Sequence, residues 1–118
     1  MIPLMLLATF AADHTVYIGT RTREGRSEGI YRMKFNTQTG ALSDVKLAAA
    51  TIDPSFLDLH PTRPLLYSVV ASPEGKLESY AIEPDGGLRR LNAVSSRGAG
   101  PAHVQVDRTG QWVATANY

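Results

Sequence analysis

The residue of this chain best suited to move a proton is His103, in the run Gly100-Pro101-Ala102-His103-Val104. An imidazole there could act as general base toward water, or as a hydrogen-bond partner of a bound molecule. It could equally be a loop histidine that fixes a connection, because Ser55-Phe56 fills the equivalent place one repeat earlier. Asn117 could hold a ligand hydroxyl or cap a turn, and Tyr118 beside it is a further binding candidate. Thr20 and Arg21 are candidates of the same kind. Arg21, Arg23 and Arg26 crowd the stretch after Thr20, and Arg97 precedes the His103 loop. Guanidinium groups in that number could form an anion site; they also suit a solvated loop. His60 sits in a proline turn, where a structural role fits better, and His14 near the start of the chain says little.

Strands must position these residues, because strand signals are dense and helix signals nearly missing. Apolar and polar residues alternate, or β-branched and aromatic residues cluster, over 16–18, 30–35, 55–59, 65–70, 77–82 and 88–94. A weaker strand covers 42–50, whose alanine run also reads as helix. The turns between them are rich in Gly and Pro, which end elements. One phrase occurs twice: the run that opens at Pro54-Ser55-Phe56-Leu57 returns at Pro101-Ala102-His103-Val104, an offset of 47 residues. Ile30 and Phe35 map onto Leu77 and Ile82 at the same offset, and Gly40 onto Gly87. Four short antiparallel strands per unit at such a period mark a β-propeller blade. The fold class is therefore all-β: a β-propeller with four-stranded antiparallel blades, of which the chain covers one full and two partial ones. The divisions are a loose or leader-like segment 1–14 and a partial propeller 15–118, with blade parts 15–50, 54–94 and 101–118. In an antiparallel pair the start of one strand lies beside the end of its partner. His103 starts a strand and Asn117-Tyr118 ends the return strand, so they should share a rim, and Gly19-Thr20 should reach the same one. Phe56, Tyr67 and Trp112 read as packing between blades.

Bulk properties remove several classes of function. The chain has 118 residues, fit for one small domain, and 43% are hydrophobic, which is globular rather than disordered. Its net charge is +1, with no basic excess to draw nucleic acid or an anionic membrane. Without cysteine there is no disulfide framework and no thiolate nucleophile or metal ligand. Acidic residues are scattered, with no spacing that suits a metal, and no serine nucleophile motif or phosphate-binding glycine loop is present. The run 2–12 is apolar and ends in small residues, like the second half of an export signal, but no Lys or Arg precedes it. It is too short to span a bilayer. Cytoplasmic and exported locations both stay open.

Tyr17-Ile18-Gly19-Thr20, Ser27-Glu28-Gly29-Ile30-Tyr31, Thr39-Gly40-Ala41-Leu42, Pro54-Ser55-Phe56-Leu57, Gly100-Pro101-Ala102-His103-Val104 and Ala116-Asn117-Tyr118 occur in that order. Together they resemble the opening of the lactonase family of seven-bladed propellers, from about Val16 to Tyr118. The resemblance implies an N-terminal fragment of a protein several hundred residues long. It implies a parent activity in carbohydrate metabolism (the pentose phosphate pathway): hydrolysis of a sugar lactone such as 6-phosphogluconolactone to the acid, with no cofactor. Such chemistry needs a base for water, for which His103 is the candidate, and donors for the oxyanion. The partner would be a small-molecule lactone, sugar or sugar phosphate, with Thr20, Arg21, Asn117 and Tyr118 as binding residues. The family's stronger catalytic candidates would follow Tyr118, so the isolated chain should be inactive. Its uncovered blade edges would offer a route to self-association. The competing reading is a non-enzymatic, exported propeller used as a binding platform, which the fold also supports.

Overall fold

Alternating side chains and glycine turns build nine strands and, among the described residues, no helix. The computed structural model describes residues 12–118. Most of the segment 1–14 thus lies outside the described residues, while Asp13 and His14 already belong to the first strand. Strands β1 (Asp13–Ile18), β2 (Gly29–Asn36) and β3 (Leu42–Ala50) form one sheet in that order. A second sheet holds β4 (Leu57–Leu59), β5 (Leu65–Val70), β6 (Lys76–Ile82) and β7 (Leu88–Ser95), and a third holds β8 (Pro101–Val106) and β9 (Val113–Asn117). Each neighbouring pair is antiparallel.

The 47-residue offset holds in the pairing itself: Leu57 faces Ser68 in β4–β5, and Val104 faces Thr115 in β8–β9. It slips in one hairpin. The Asn36 N–H donates to the Ala41 carbonyl, with Gly40 at φ 75°, whereas the Glu83 N–H donates to the Gly87 carbonyl, with Gly86 at φ 87°. The second loop is one residue shorter, so Gly40 corresponds to Gly86 rather than Gly87. The alanine run is strand, not helix: it pairs with β2, and Ala48 and Ala49 let the neighbouring sheet approach. Strand β4 is shorter than the run 55–59, because the Ser55 N–H turns back onto the Asp53 carbonyl at 2.7 Å.

The core sits between sheets. Ile30 of the first sheet meets Leu66 and Tyr80 of the second, all three fully or almost fully buried, with Tyr17, Ala49, Leu57 and Leu88 around them. Val69 lies on the opposite face of β5 from Leu66, because successive strand residues alternate. Val69, Val104 and Val106 are buried at the junction with the third sheet. Trp112 does not serve as packing among the described residues: it is 73% exposed, held in its turn by its N–H on the Asp107 carboxylate and by the Asp107 N–H on its carbonyl.

Polar latches tie the sheets at their ends. The Tyr17 hydroxyl donates to the Gly86 carbonyl at 2.8 Å. The buried Glu78 carboxylate accepts the Thr51 hydroxyl at 2.6 Å and the Tyr80 hydroxyl, and sits 3.0 Å from the Arg90 guanidinium. Burial, then the Glu78 carboxylate, pushes the Tyr80 phenol up to about 12. The second and third sheets join through the Asp58 carboxylate, which accepts the Val106 N–H at 2.7 Å. Leu66→Ala should cost about 2–5 kcal/mol through the cavity it leaves, read as a lower urea midpoint with an unchanged denaturant slope.

Candidate functional site

The β8–β9 hairpin carries the C-terminal half of the sequence-derived site. Pro101 faces Asn117 and His103 faces Ala116, with a register shift between Pro101 and His103. Such a bulge re-aims side chains. His103 is exposed, and its ring centroid lies 4.3 Å from that of Phe56, tilted by 49°. Its own carbonyl accepts the Thr115 hydroxyl at 2.8 Å. The Asn117 side-chain amide donates to the Ser96 carbonyl at 2.9 Å. A Cβ on Gly98 would come within 2.5 Å of that amide, so the loop 96–100 closes directly over it. Tyr118 is fully exposed.

The N-terminal half follows β1. Gly19 lies against the connection that leads into β4, where a Cβ would stand 2.0 Å from the Pro54 carbonyl oxygen. Only glycine lets the two backbones approach so closely. The Thr20 hydroxyl donates to the Gly29 carbonyl at 2.7 Å, which holds the base of the loop 19–28. The Arg21 carbonyl accepts the Ser27 hydroxyl at 2.8 Å, and its side chain is exposed.

Of the five candidates, the structure brings Arg21 and Tyr118 into one cleft of about 450 Å³, with Arg23, Asp53, Ser55 and the stretch 100–102. Thr20, His103 and Asn117 are not among its lining residues, and neither are Arg26 and Arg97. His60 lies elsewhere: its Nδ1 accepts the Thr62 and Arg63 N–H groups, so its Nε2 donates to the Gly110 carbonyl at 3.1 Å.

Sequence reasoning missed Asp53. It is 2% exposed and adopts φ 43°, a left-handed conformation that Asp and Asn tolerate better than most side chains. Its carboxylate accepts the Thr22 N–H at 2.7 Å, the Arg23 N–H at 3.3 Å and the Arg23 guanidinium at 2.5 Å. Burial raises its carboxyl. The Thr22 amide, then the Arg23 side chain and amide, outweigh burial and hold it below the ordinary aspartate value. The available signal was the Asp53-Pro54 dipeptide, a turn initiator at the entrance to the repeated phrase.

A second, larger cleft of about 890 Å³ opens between the first two sheets, lined by Thr51, Glu78, Arg90 and neighbours. Its buried carboxylate is the latch described above, with its bonding capacity used internally. Among the described residues no group of three His, Cys, Asp or Glu gathers as metal ligands would, and no helix is long and apolar enough to cross a membrane. The Arg21 cleft therefore offers cationic and hydroxyl donors, and its one carboxylate is engaged. It can bind and orient an oxygen-rich or anionic molecule.

Small antiparallel sheets stacked face to face, with a site at the ends of their strands, define a β-propeller class of protein. The family model described as lactonase, 7-bladed β-propeller, matches residues 15–118, and the chain belongs to that family. It is 40% identical over 104 residues to a 6-phosphogluconolactonase of Bacillus subtilis, covering 86% of this chain and 30% of that protein. A solved structure from Bacteroides uniformis superimposes with a TM-score of 0.82 at 35% identity, covering 91% of this chain and 31% of its own. The periplasmic gluconolactonase of Pseudomonas aeruginosa does so with a TM-score of 0.80 at 27% identity, covering 90% and 31%. The chain thus spans about 30% of the length of the curated relatives it matches.

Asp53 sets a pH dependence. A carboxyl whose folded pKa is lowered stabilises the fold fully above its unfolded value, 3.8, and loses that contribution as pH falls through the folded value. Asp53→Asn keeps a side chain suited to the left-handed backbone and removes the charge. The stability difference between the parent chain and Asp53→Asn, measured by urea unfolding, should be constant from neutral pH to about 5 and shrink below about 4. A difference that grows on acidification would contradict the latch.

Proposed function

We propose that the protein built from this segment hydrolyses a sugar lactone, with 6-phosphogluconolactone as the leading substrate. The observation that carries the reading is the 40% identity to the Bacillus subtilis 6-phosphogluconolactonase, which extends over nearly the whole described chain. The Arg21 cleft supports it, because Arg21, Ser55 and Tyr118 line it, and residues of these types suit a polyol with a charged group. The segment's three sheets are read as parts of successive blades, and its rim as one wall of the site. In this reading it positions substrate. Proton transfer falls to His103 or to residues on other blades.

One observation favours the binding-platform alternative. The Thr20 hydroxyl, the Asn117 amide nitrogen and the Asp53 carboxylate each bond to neighbouring backbone or side chains, as structural residues do. A chimera separates the two readings. Residues 15–118 replace the matching segment of the Bacillus subtilis protein, and ring opening of 6-phosphogluconolactone is followed by proton NMR. Turnover within about tenfold of the parent enzyme is expected, because a misplaced wall costs about a hundredfold. A folded chimera that opens neither the phosphorylated nor the free lactone would sink the enzyme reading.

The 118-residue chain by itself should open δ-lactones no faster than buffer does, since its cleft holds no free base. Clear turnover, abolished by His103→Ala, would place the proton-transfer group within this segment.

A further inference from the structure

We propose that the cleft between Arg21 and Tyr118 is an anion subsite, in which Arg21 meets a phosphomonoester or carboxylate carried by a small polyol. The proposal rests on the lactone reading for the polyol alone. The charged group follows from the geometry.

Two guanidinium groups and one carboxylate line the cleft. Arg23 gives its Nε to Asp53 and its Nη2 to the Ala71 carbonyl, so its charge and two of its donors are committed within the protein. Asp53 is buried and takes bonds from both Thr22 and Arg23, so it is not free to turn toward Arg21. Among the described residues Arg21 forms no ion pair. Its backbone is nonetheless fixed, by the Ser27 hydroxyl on its carbonyl and by the Thr22 latch next door. Among the side chains that line the cleft, one charge is uncompensated, and it is positive and on an anchored loop. Ser55 and Tyr118 also line the cleft, and hydroxyls of both types can donate to further oxygens. A guanidinium binds two oxygens of a phosphate or carboxylate side by side, in a geometry that no neutral group reproduces. About 450 Å³ lies within the range of small-molecule sites and is ample for a six-carbon sugar acid.

Equilibrium dialysis tests this on the Bacillus subtilis chimera described above, in which Tyr118 is followed by further chain and carries no free carboxylate, at low ionic strength, with labelled inorganic phosphate in one arm and labelled gluconate in the other. Saturable binding of at least one anion is expected. Phosphate alone identifies a phosphomonoester subsite, gluconate alone a carboxylate subsite, and both together a site that selects charge. Arg21→Gln should weaken binding by about tenfold or more, the usual loss for a charged hydrogen bond. Arg26→Gln, on the same loop but outside the cleft, should leave it unchanged. No binding of either anion, or equal losses in the two variants, overturns the proposal. Because the assay needs no turnover, a chimera without lactonase activity leaves the subsite standing, and loss of the subsite leaves the lactone reading standing.

Discussion

The inner strands of the middle sheet have no face of their own to give to water. Leu66 and Tyr80 on one side are buried against Ile30 of the first sheet, and Val69 is buried on the other side of β5, which also contacts β8 of the third. Burying side chains of this size contributes about 1.5–3 kcal/mol each, and none of it is available to a single four-stranded sheet in isolation. Face-to-face stacking is thus the condition for any strand here to persist. The outer strands are less covered: Leu42, Val45 and Leu47 of β3 are 41–59% exposed, and Leu91 and Val94 of β7 are 48% and 54% exposed.

Stacked sheets slide unless something fixes their register, and apolar contact is not directional. The directional bonds in this chain sit where sliding would matter. Tyr17 reaches Gly86, Thr51 reaches Glu78 and Asp53 gathers Thr22 and Arg23, all across the first junction. Asp58 and His60 do so across the second. A buried carboxylate such as Glu78 is costly unless its oxygens are all partnered. Three partners satisfy it, and two of them, Tyr80 and Arg90, come from its own sheet. The third, Thr51, comes from the connection between sheets, so the cost is offset only when the two sheets are correctly docked. That makes Glu78 a reporter of register more than a source of stability.

Much of the strand plan could be read in the sequence, because alternation and turn glycines are local properties. The pairing of Leu57 with Ser68 and of Val104 with Thr115 reproduces an offset visible in the letters. The strand over 42–50 was the weakest of these signals for a local reason as well: Ala48 and Ala49 have high helix propensity, and they sit in a strand where their small side chains suit the approach of the next sheet. Gly87 was matched to Gly40 by counting, when a one-residue deletion makes Gly86 the residue with positive φ. The Asp53-Pro54 dipeptide signals a turn, but the partners of Asp53 were illegible for a different reason. They are 30 and 31 residues away, and no periodicity links a linker aspartate to an arginine in an earlier loop.

The arginine loop shows why residue type alone could not settle the site. Arg21, Arg23 and Arg26 are equivalent as letters, three exposed cations within six residues. The fold makes them unequal. Asp53 claims Arg23, Arg26 falls outside the cleft, and Arg21 alone faces it with its charge unspent. The distinction depends on a buried carboxylate that belongs to the connection between two sheets, so the charge of the rim is decided by the same docking that buries Leu66. Packing between sheets and the electrostatics of the cleft are therefore one constraint. A change that loosened the first junction would free Arg23 and leave Asp53 without its principal cation, altering the charge presented to a ligand without touching a residue that contacts it.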